Sequence, residues 1–106
     1  MHRPDFEEIA SLDEFDSTDR LEVFIDDTPV LLILLNDQVF AIEDACTHDG
    51  QPLTNGCIEA GAIICPRHGA RFDLATGKAL CMPATKSIQT FEVEVRDRKV
   101  FVRSGN

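Results

Sequence analysis

Two short segments of this chain each pair a cysteine with a histidine. The first segment is Cys46-Thr-His48, and the second is Cys65-Pro-Arg-His68. Cysteine thiolate and histidine imidazole are both ligands of transition metals. A Cys2His2 zinc finger usually takes both cysteines from one short loop and both histidines from another. Here each segment supplies one of each type, and this alternating order suits two metal ions better than one.

The alternating order predicts a binuclear iron site if the two segments face each other. The two cysteines can then meet on one iron and the two histidines on the other, with sulfide ions bridging the irons. That is the ligand set of a [2Fe–2S] centre in which two histidines replace two cysteines on one iron. A zinc site of unusual order and a set of ordinary packing and surface groups stay open as alternatives.

The longer segments around these residues resemble the two cluster-binding boxes of Rieske proteins. The two boxes read Cys46-Thr-His48-Asp-Gly50 and Cys65-Pro-Arg-His68-Gly69-Ala-Arg-Phe72-Asp. They are most similar to the boxes of the small ferredoxins of bacterial multicomponent oxygenases, and the flanking strands also follow the order of that family. The resemblance implies one [2Fe–2S] cluster whose iron is bound by four residues. These are Cys46, His48, Cys65 and His68.

Three further residues are expected next to the cluster. Gly50 and Gly69 suit loops that wrap around sulfur, because such loops need tight turns and positive φ. As an alternative, both are turn glycines without a cluster contact. The resemblance implies that Pro83 belongs to a segment covering one side of the cluster, although it also fits an ordinary loop proline.

Cys57 and Cys81 are not needed for this ligand set. We expect them to be small, partly buried apolar residues. A disulfide between them stays open, because it depends on a Cα separation that the sequence does not give.

Hydrophobic patterning predicts an all-β protein. The continuous apolar run from Val30 to Leu35 fits a strand buried on both faces, and residues 90–96 alternate like a half-buried strand. Ser11 and Glu14 fit a capping box for one short helical turn. The chain is expected to form a single Rieske domain over residues 1–106. Its antiparallel β-sandwich base spans residues 1–42 and 81–106, and the inserted cluster-binding sheet spans about 43–80, with the ligands on its hairpin tips.

The formal net charge of −9 argues against nucleic acid and anionic membranes as partners. Ten of the nineteen acidic residues lie within residues 1–27, outside the two boxes. This charge serves solubility or docking on a basic patch of a redox partner. The longest apolar run is too short to span a membrane, and the N-terminal residues have no apolar signal core. A cytoplasmic protein is therefore the default expectation.

The preferred interpretation is a one-electron carrier with no catalytic site of its own. By resemblance, it passes electrons from a flavin-containing reductase to a terminal oxygenase, and it docks transiently as a monomer through the tip formed by His48 and His68. One alternative is the Rieske-like small subunit of an assimilatory nitrite reductase, although members of that group often lack the ligands. The other alternative is a redox-sensing or zinc-stabilised interaction module.

We predict a midpoint potential near the low end of the Rieske span of roughly −150 to +300 mV. High-potential respiratory members have an extra cysteine in each box, and the corresponding positions here are Gln51 and Arg67. They also have serine and tyrosine hydroxyl donors, which are replaced here by Ala70 and Phe72. Without these donors the reduced cluster is less stabilised. A redox titration that gave a value typical of respiratory Rieske proteins would contradict this prediction.

Overall fold

The structure, a computed structural model, describes residues 6–47, 50–67, 69–82 and 86–103. These ranges contain eleven β-strands and a single short helical element, the 3₁₀ turn Leu12–Phe15. The strands are β1 (Phe6–Ser11), β2 (Arg20–Ile25), β3 (Thr28–Leu35), β4 (Gln38–Glu43), β5 (Cys57–Glu59), β6 (Ala62–Ile64), β7 (Arg71–Asp73), β8 (Ala79–Cys81), β9 (Thr90–Phe91), β10 (Val93–Arg96) and β11 (Lys99–Arg103). The prediction of an all-β protein is therefore confirmed. Within the described ranges, no helix is long and apolar enough to cross a membrane.

The strands form three sheets in which every neighbouring pair is antiparallel. The outer sheet has the order β1-β11-β10, the central sheet β2-β3-β4-β9, and the small sheet β5-β6-β7-β8. The small sheet consists of a continuous run of the chain, whereas the other two sheets combine strands from both ends of it. The sheet order thus groups the strands around the two boxes separately from the rest.

Two apolar cores lie on opposite faces of the central sheet. The base core joins the central sheet to the outer sheet. Its buried members are Ala10, Phe15, Ile25, Val30, Leu32, Val39, Ala41, Val100 and Val102. The site core joins the central sheet to the small sheet and to the two boxes. Its buried members are Leu31, Ile33, Ile42, Cys46, Leu53, Ile63, Cys65, Ala70, Phe72, Leu74 and Ile88.

Strand β3 supplies side chains to both cores, because successive residues of a strand point to opposite faces of the sheet. Val30 and Leu32 pack into the base core, whereas Leu31 and Ile33 pack into the site core. All four are fully buried. This explains why the segment has no polar residue in its middle, and it confirms the predicted strand with two buried faces.

The predicted capping box is present at the 3₁₀ turn. The Ser11 hydroxyl accepts a hydrogen bond from the Asp13 amide at 3.2 Å, and the Glu14 carboxylate accepts one from the Ser11 amide at 2.9 Å. The Leu12 amide also donates to the carbonyl of Arg98, which lies in the turn between β10 and β11. These bonds hold the link between β1 and β2 against the outer sheet.

Replacing Leu32 by alanine tests the base core. The side chain is 0% exposed, so we expect Leu32→Ala to lower the free energy of unfolding by about 2–5 kcal/mol. Phe24 is the matched control, because it lies in the same sheet but is 73% exposed. Phe24→Ala should change the same quantity by no more than about 0.5 kcal/mol. Chemical denaturation measures both, and equal effects would contradict the assignment of the core.

Candidate metal centre

The second box lies at the tip of a β-hairpin. Cys65 directly follows β6, and the Ile64–Arg71 pair brings the two ends of the loop together as β6 pairs with β7. Within the loop, the Cys65 amide donates to the Ala70 carbonyl at 2.7 Å, and the Gly69 amide donates to the Cys65 carbonyl at 3.0 Å. The hairpin-tip prediction is therefore confirmed for this box.

The first box is not a hairpin tip. It follows β4, which belongs to the central sheet, and the next strand, β5, belongs to the small sheet. The chain must leave the central sheet here, because β3 and β9 occupy both sides of β4. No strand is assigned to the described residues between Glu43 and Cys57. The prediction that both boxes lie on hairpin tips is thus wrong for the first one, which lies in a crossing between two sheets.

The two boxes nevertheless have the same backbone hydrogen bonds. In the first box the Cys46 amide donates to the Gln51 carbonyl at 2.8 Å, and the Gly50 amide donates to the Cys46 carbonyl at 2.7 Å. In both loops the cysteine carbonyl thus accepts from the glycine four residues on, and the cysteine amide donates to the carbonyl five residues on. The backbone of each cysteine therefore makes the same two hydrogen bonds, although the strands that flank the two boxes are arranged differently.

The glycines of the boxes are needed for their backbone conformation. Gly50 has φ of 76° and Gly69 has φ of 78°, in the left-handed region that favours glycine. No atom of the described residues beyond the chain neighbours lies within 4 Å of a Cβ built at either position. Their amides are engaged by the cysteine carbonyls within the loops, so they shape the turns. A position next to a cluster stays a prediction for both glycines.

Cys46 and Cys65 are each 1% exposed and belong to the site core. Ala70 and Phe72, which the sequence resemblance matches to the hydroxyl donors of high-potential Rieske proteins, are fully buried in the same core. The surroundings of Cys46 and Cys65 are therefore apolar and shielded from water. Cys57 and Cys81, by contrast, are exposed thiols rather than the partly buried residues expected from the sequence.

Cys57 and Cys81 lie in one row across the small sheet. Cys57 pairs with Ile64, Ile64 with Arg71, and Arg71 with Cys81. Three strand spacings therefore separate the two cysteines, which corresponds to about 14 Å. A disulfide needs Cα atoms no more than about 7 Å apart. The disulfide that the sequence left open is thus excluded, and both cysteines are free.

His48, His68 and Pro83 lie outside the described residues. The two cysteines are accordingly the part of the predicted ligand set that the structure brings together in one core. Among the described residues, no three His, Cys, Asp or Glu side chains form a group that could hold a metal ion. The assignment of all four ligands stays a prediction.

Polar residues without a recognisable motif hold the first box in place. The Asp44 carboxylate, 7% exposed, accepts from the Leu53 amide at 2.7 Å and from the Thr54 hydroxyl at 2.6 Å. Arg20 of β2 donates from Nη1 to the carbonyls of Thr54 and Gly56, at 2.7 and 2.6 Å. An aspartate two residues before a cysteine is not distinctive in a sequence, so only the fold reveals these contacts.

The Thr47 hydroxyl, inside the first box, donates to the Lys86 carbonyl at 2.8 Å. Lys86 lies between β8 and β9, outside both boxes. This bond attaches the first box to a distant segment of the chain.

Comparison with known proteins identifies clear relatives. The family described as Rieske [2Fe-2S] domain matches residues 5–92. The ferredoxin component of the naphthalene 1,2-dioxygenase/salicylate 5-hydroxylase systems of Ralstonia sp is 34% identical over 94 residues, which cover 89% of this chain and 90% of the relative.

Solved structures show the same similarity. The ferredoxin of carbazole 1,9a-dioxygenase from Nocardioides aromaticivorans IC177 superposes with a TM-score of 0.87 at 26% identity, covering 94% of this chain and 98% of that one. A chain from a complex of reduced oxygenase and oxidized ferredoxin in carbazole 1,9a-dioxygenase has a TM-score of 0.83 at 28% identity, covering 95% and 94%. These similarities confirm the family resemblance of the sequence and the fold predicted from it. They favour an electron carrier over a nitrite reductase subunit or a zinc module.

Alanine substitution of Gly50 or Gly69 tests the shape of the loops. Each variant should lose about 1–2 kcal/mol of unfolding free energy, because alanine resists the left-handed region. Asparagine is the matched control, since it tolerates this conformation better. Thermal unfolding should rank wild type, asparagine and alanine in decreasing stability at both positions. Alanine variants as stable as wild type would show that neither loop needs positive φ.

Proposed function

Because the chain belongs to the Rieske [2Fe-2S] domain family, we propose that it carries single electrons from a flavin-containing reductase to a terminal oxygenase. The observation that carries the proposal is the pair of buried cysteines, Cys46 and Cys65, held in two loops with the same backbone hydrogen bonds. The relatives support it, since they are named as ferredoxin components of oxygenase systems. The chain is thus an electron-transfer component rather than the oxygenase itself.

We assign four ligands to one [2Fe–2S] cluster, two cysteines for one iron and two histidines for the other. They are Cys46, Cys65, His48 and His68. The donor set fits the group, because both thiols lie within one apolar core, where a bound thiolate is shielded from water. When bound, the cluster would take up and release one electron.

The surroundings of the boxes suggest where partners approach. The cysteine side faces the site core, whereas Gly50, Pro66, Arg67 and Gly69 are exposed. An electron-transfer partner can therefore come close only on the exposed side of the loops. We propose that the reductase and the oxygenase both dock transiently there, at the tip formed by His48 and His68.

The charge of the chain favours basic partner surfaces at this tip or beside it. The net charge is −9, and opposite charge on a partner speeds association. A similar chain from a complex of oxygenase and ferredoxin supports docking on an oxygenase. We further propose a cytoplasmic monomer that binds neither nucleic acid nor membranes. Its base would be residues 1–42 and 81–106, and its cluster-binding subdomain would span about residues 43–80.

We expect the purified protein to contain two irons and two acid-labile sulfides per chain and no zinc. The reduced protein should show the electron paramagnetic resonance spectrum of a [2Fe–2S] centre with mixed nitrogen and sulfur ligands. Mixed with a terminal aromatic-ring oxygenase, it should be reoxidised stoichiometrically. Metal analysis, spectroscopy and stopped-flow absorbance measure these three outcomes, and a zinc-loaded protein without sulfide would contradict the proposal.

The four cysteines of the chain provide their own controls for the ligand assignment. Cys46→Ser and Cys65→Ser should lose the visible absorption of the cluster, because a thiolate ligand is removed. Cys57→Ser and Cys81→Ser should keep it, because both thiols are exposed, and the bond that the Cys81 thiol donates to the Gly69 carbonyl of the second box, at 3.5 Å, is weak. Loss of the absorption in either control variant would show that the ligands are assigned wrongly.

A further inference from the structure

The two boxes are supported in different ways, although their described residues make the same two backbone hydrogen bonds. The second box is closed by backbone pairing between Ile64 and Arg71, the residues that flank its loop. The first box has no such ladder, because the strands before and after it belong to different sheets. Other contacts must therefore connect the ends of the first loop if both cysteines are to keep the same backbone hydrogen bonds.

The Asp44 side chain closes the first loop where backbone pairing closes the second. Asp44 lies two residues before Cys46, and Leu53 lies two residues after Gln51, at the other end of the loop. One carboxylate oxygen accepts from the Leu53 amide at 2.7 Å, and the other accepts from the Thr54 hydroxyl at 2.6 Å. We propose that Asp44 is a positioning residue, which holds Cys46 in place for the cluster by bridging the two ends of the first box.

The anchor points on both sides of this bridge are fixed. The Asp44 amide donates to the Pro29 carbonyl of β3 at 2.9 Å, which ties the aspartate to the central sheet. Leu53 is fully buried in the site core together with Cys46. The bridge therefore joins one end of the β3–β4 pair, in the middle of the central sheet, to the core that contains the cysteines.

Thr54 is held from a second direction by strand β2. Its hydroxyl also lies 2.8 Å from the Glu22 carboxylate, and its carbonyl accepts from Arg20. A hydroxyl has only one proton to donate, and the shorter distance is to Asp44. Asp44 is 7% exposed, so water competes little for these bonds. A hydrogen bond to a charged acceptor in such a place is stronger than one between neutral groups.

Hydrogen–deuterium exchange of the cluster-loaded full chain tests the bridge. In Asp44→Ala, amides in a peptide spanning residues 50–56 should exchange about tenfold faster or more, because two hydrogen bonds to a charged group are lost. Peptides of the second box should be unchanged. The cluster should also be released faster to an iron chelator, with a similar fold-change. The electron paramagnetic resonance spectrum of the reduced protein should broaden, because Cys46 would adopt several positions instead of one.

Conservative variants separate positioning from charge. Asp44→Asn keeps an acceptor for the Leu53 amide and can donate to the Thr54 hydroxyl oxygen, so it should exchange nearly as slowly as wild type. Glu43→Gln removes a neighbouring charge and has no side-chain hydrogen bond shown among the described residues, so it is the matched charge control. Thr54→Val removes one of the two bonds and should give an intermediate rate, even if Asp44→Ala fails to fold.

Two outcomes would overturn the inference. If Asp44→Ala and Glu43→Gln have the same amide exchange rates and the same rate of cluster release to the chelator, the Asp44 bridge does not position the first box. If Asp44→Asn is as impaired as Asp44→Ala, charge rather than loop closure is responsible. The inference rests on the proposed function, but the two fail separately. A wild-type protein without iron and sulfide would contradict the proposed function. The amide exchange rates of residues 50–56 report on the bridge independently of which ligand the loop binds.

Discussion

Burial of strand β3 on both faces is the constraint on which the rest of this structure depends. The residues of this strand alternate between the base core and the site core, so both cores include its buried side chains. The outer sheet covers one face of the central sheet. The small sheet and the two boxes cover the other. The two cysteines therefore pack among apolar side chains of the site core, which shield them from water.

The two cysteines of the site core make the same backbone hydrogen bonds, but the ends of their loops are connected in two different ways. The second box is a hairpin tip, for which backbone pairing suffices. The first box crosses between sheets, and there side chains make the connections that backbone pairing makes elsewhere. Arg20 and Thr47 each donate to a backbone carbonyl more than thirty residues away, and Asp44 accepts from the Leu53 amide at the other end of the loop. Similar loops thus arise from dissimilar supports, because the local hydrogen bonds of each box are contained within a few residues.

The sequence predicted the features that depend on nearest neighbours or on a short motif. The capping box at Ser11 and the doubly buried strand from Val30 are of this kind, and so are the turns at Gly50 and Gly69. The two boxes around the alternating cysteines and histidines predicted the family without any knowledge of the fold. The ligand assignment stays a prediction, because the structure describes two of the four residues.

Features that depend on pairing between distant segments could not be predicted in the same way. The first box was expected on a hairpin, but β9 pairs with β4 in the central sheet, and this pairing joins segments about fifty residues apart. The row that separates Cys57 from Cys81 depends on the register of four strands, and the sequence does not fix that register. The bridge from Asp44 depends on the other end of the first loop, at Leu53 and Thr54, lying next to its start.

The sharing of β3 also links the two ends of the molecule thermodynamically. A ligand that binds only the folded state stabilises that state by mass action, and metal binding is coupled to folding in the same way. Since one strand belongs to both cores, loading of the site should stabilise the outer sheet as well. Conversely, a lesion in the base core, far from any cysteine, should lower the fraction of molecules that retain the cofactor. Occupancy of the site is thus expected to depend on both cores, and not on the boxes alone.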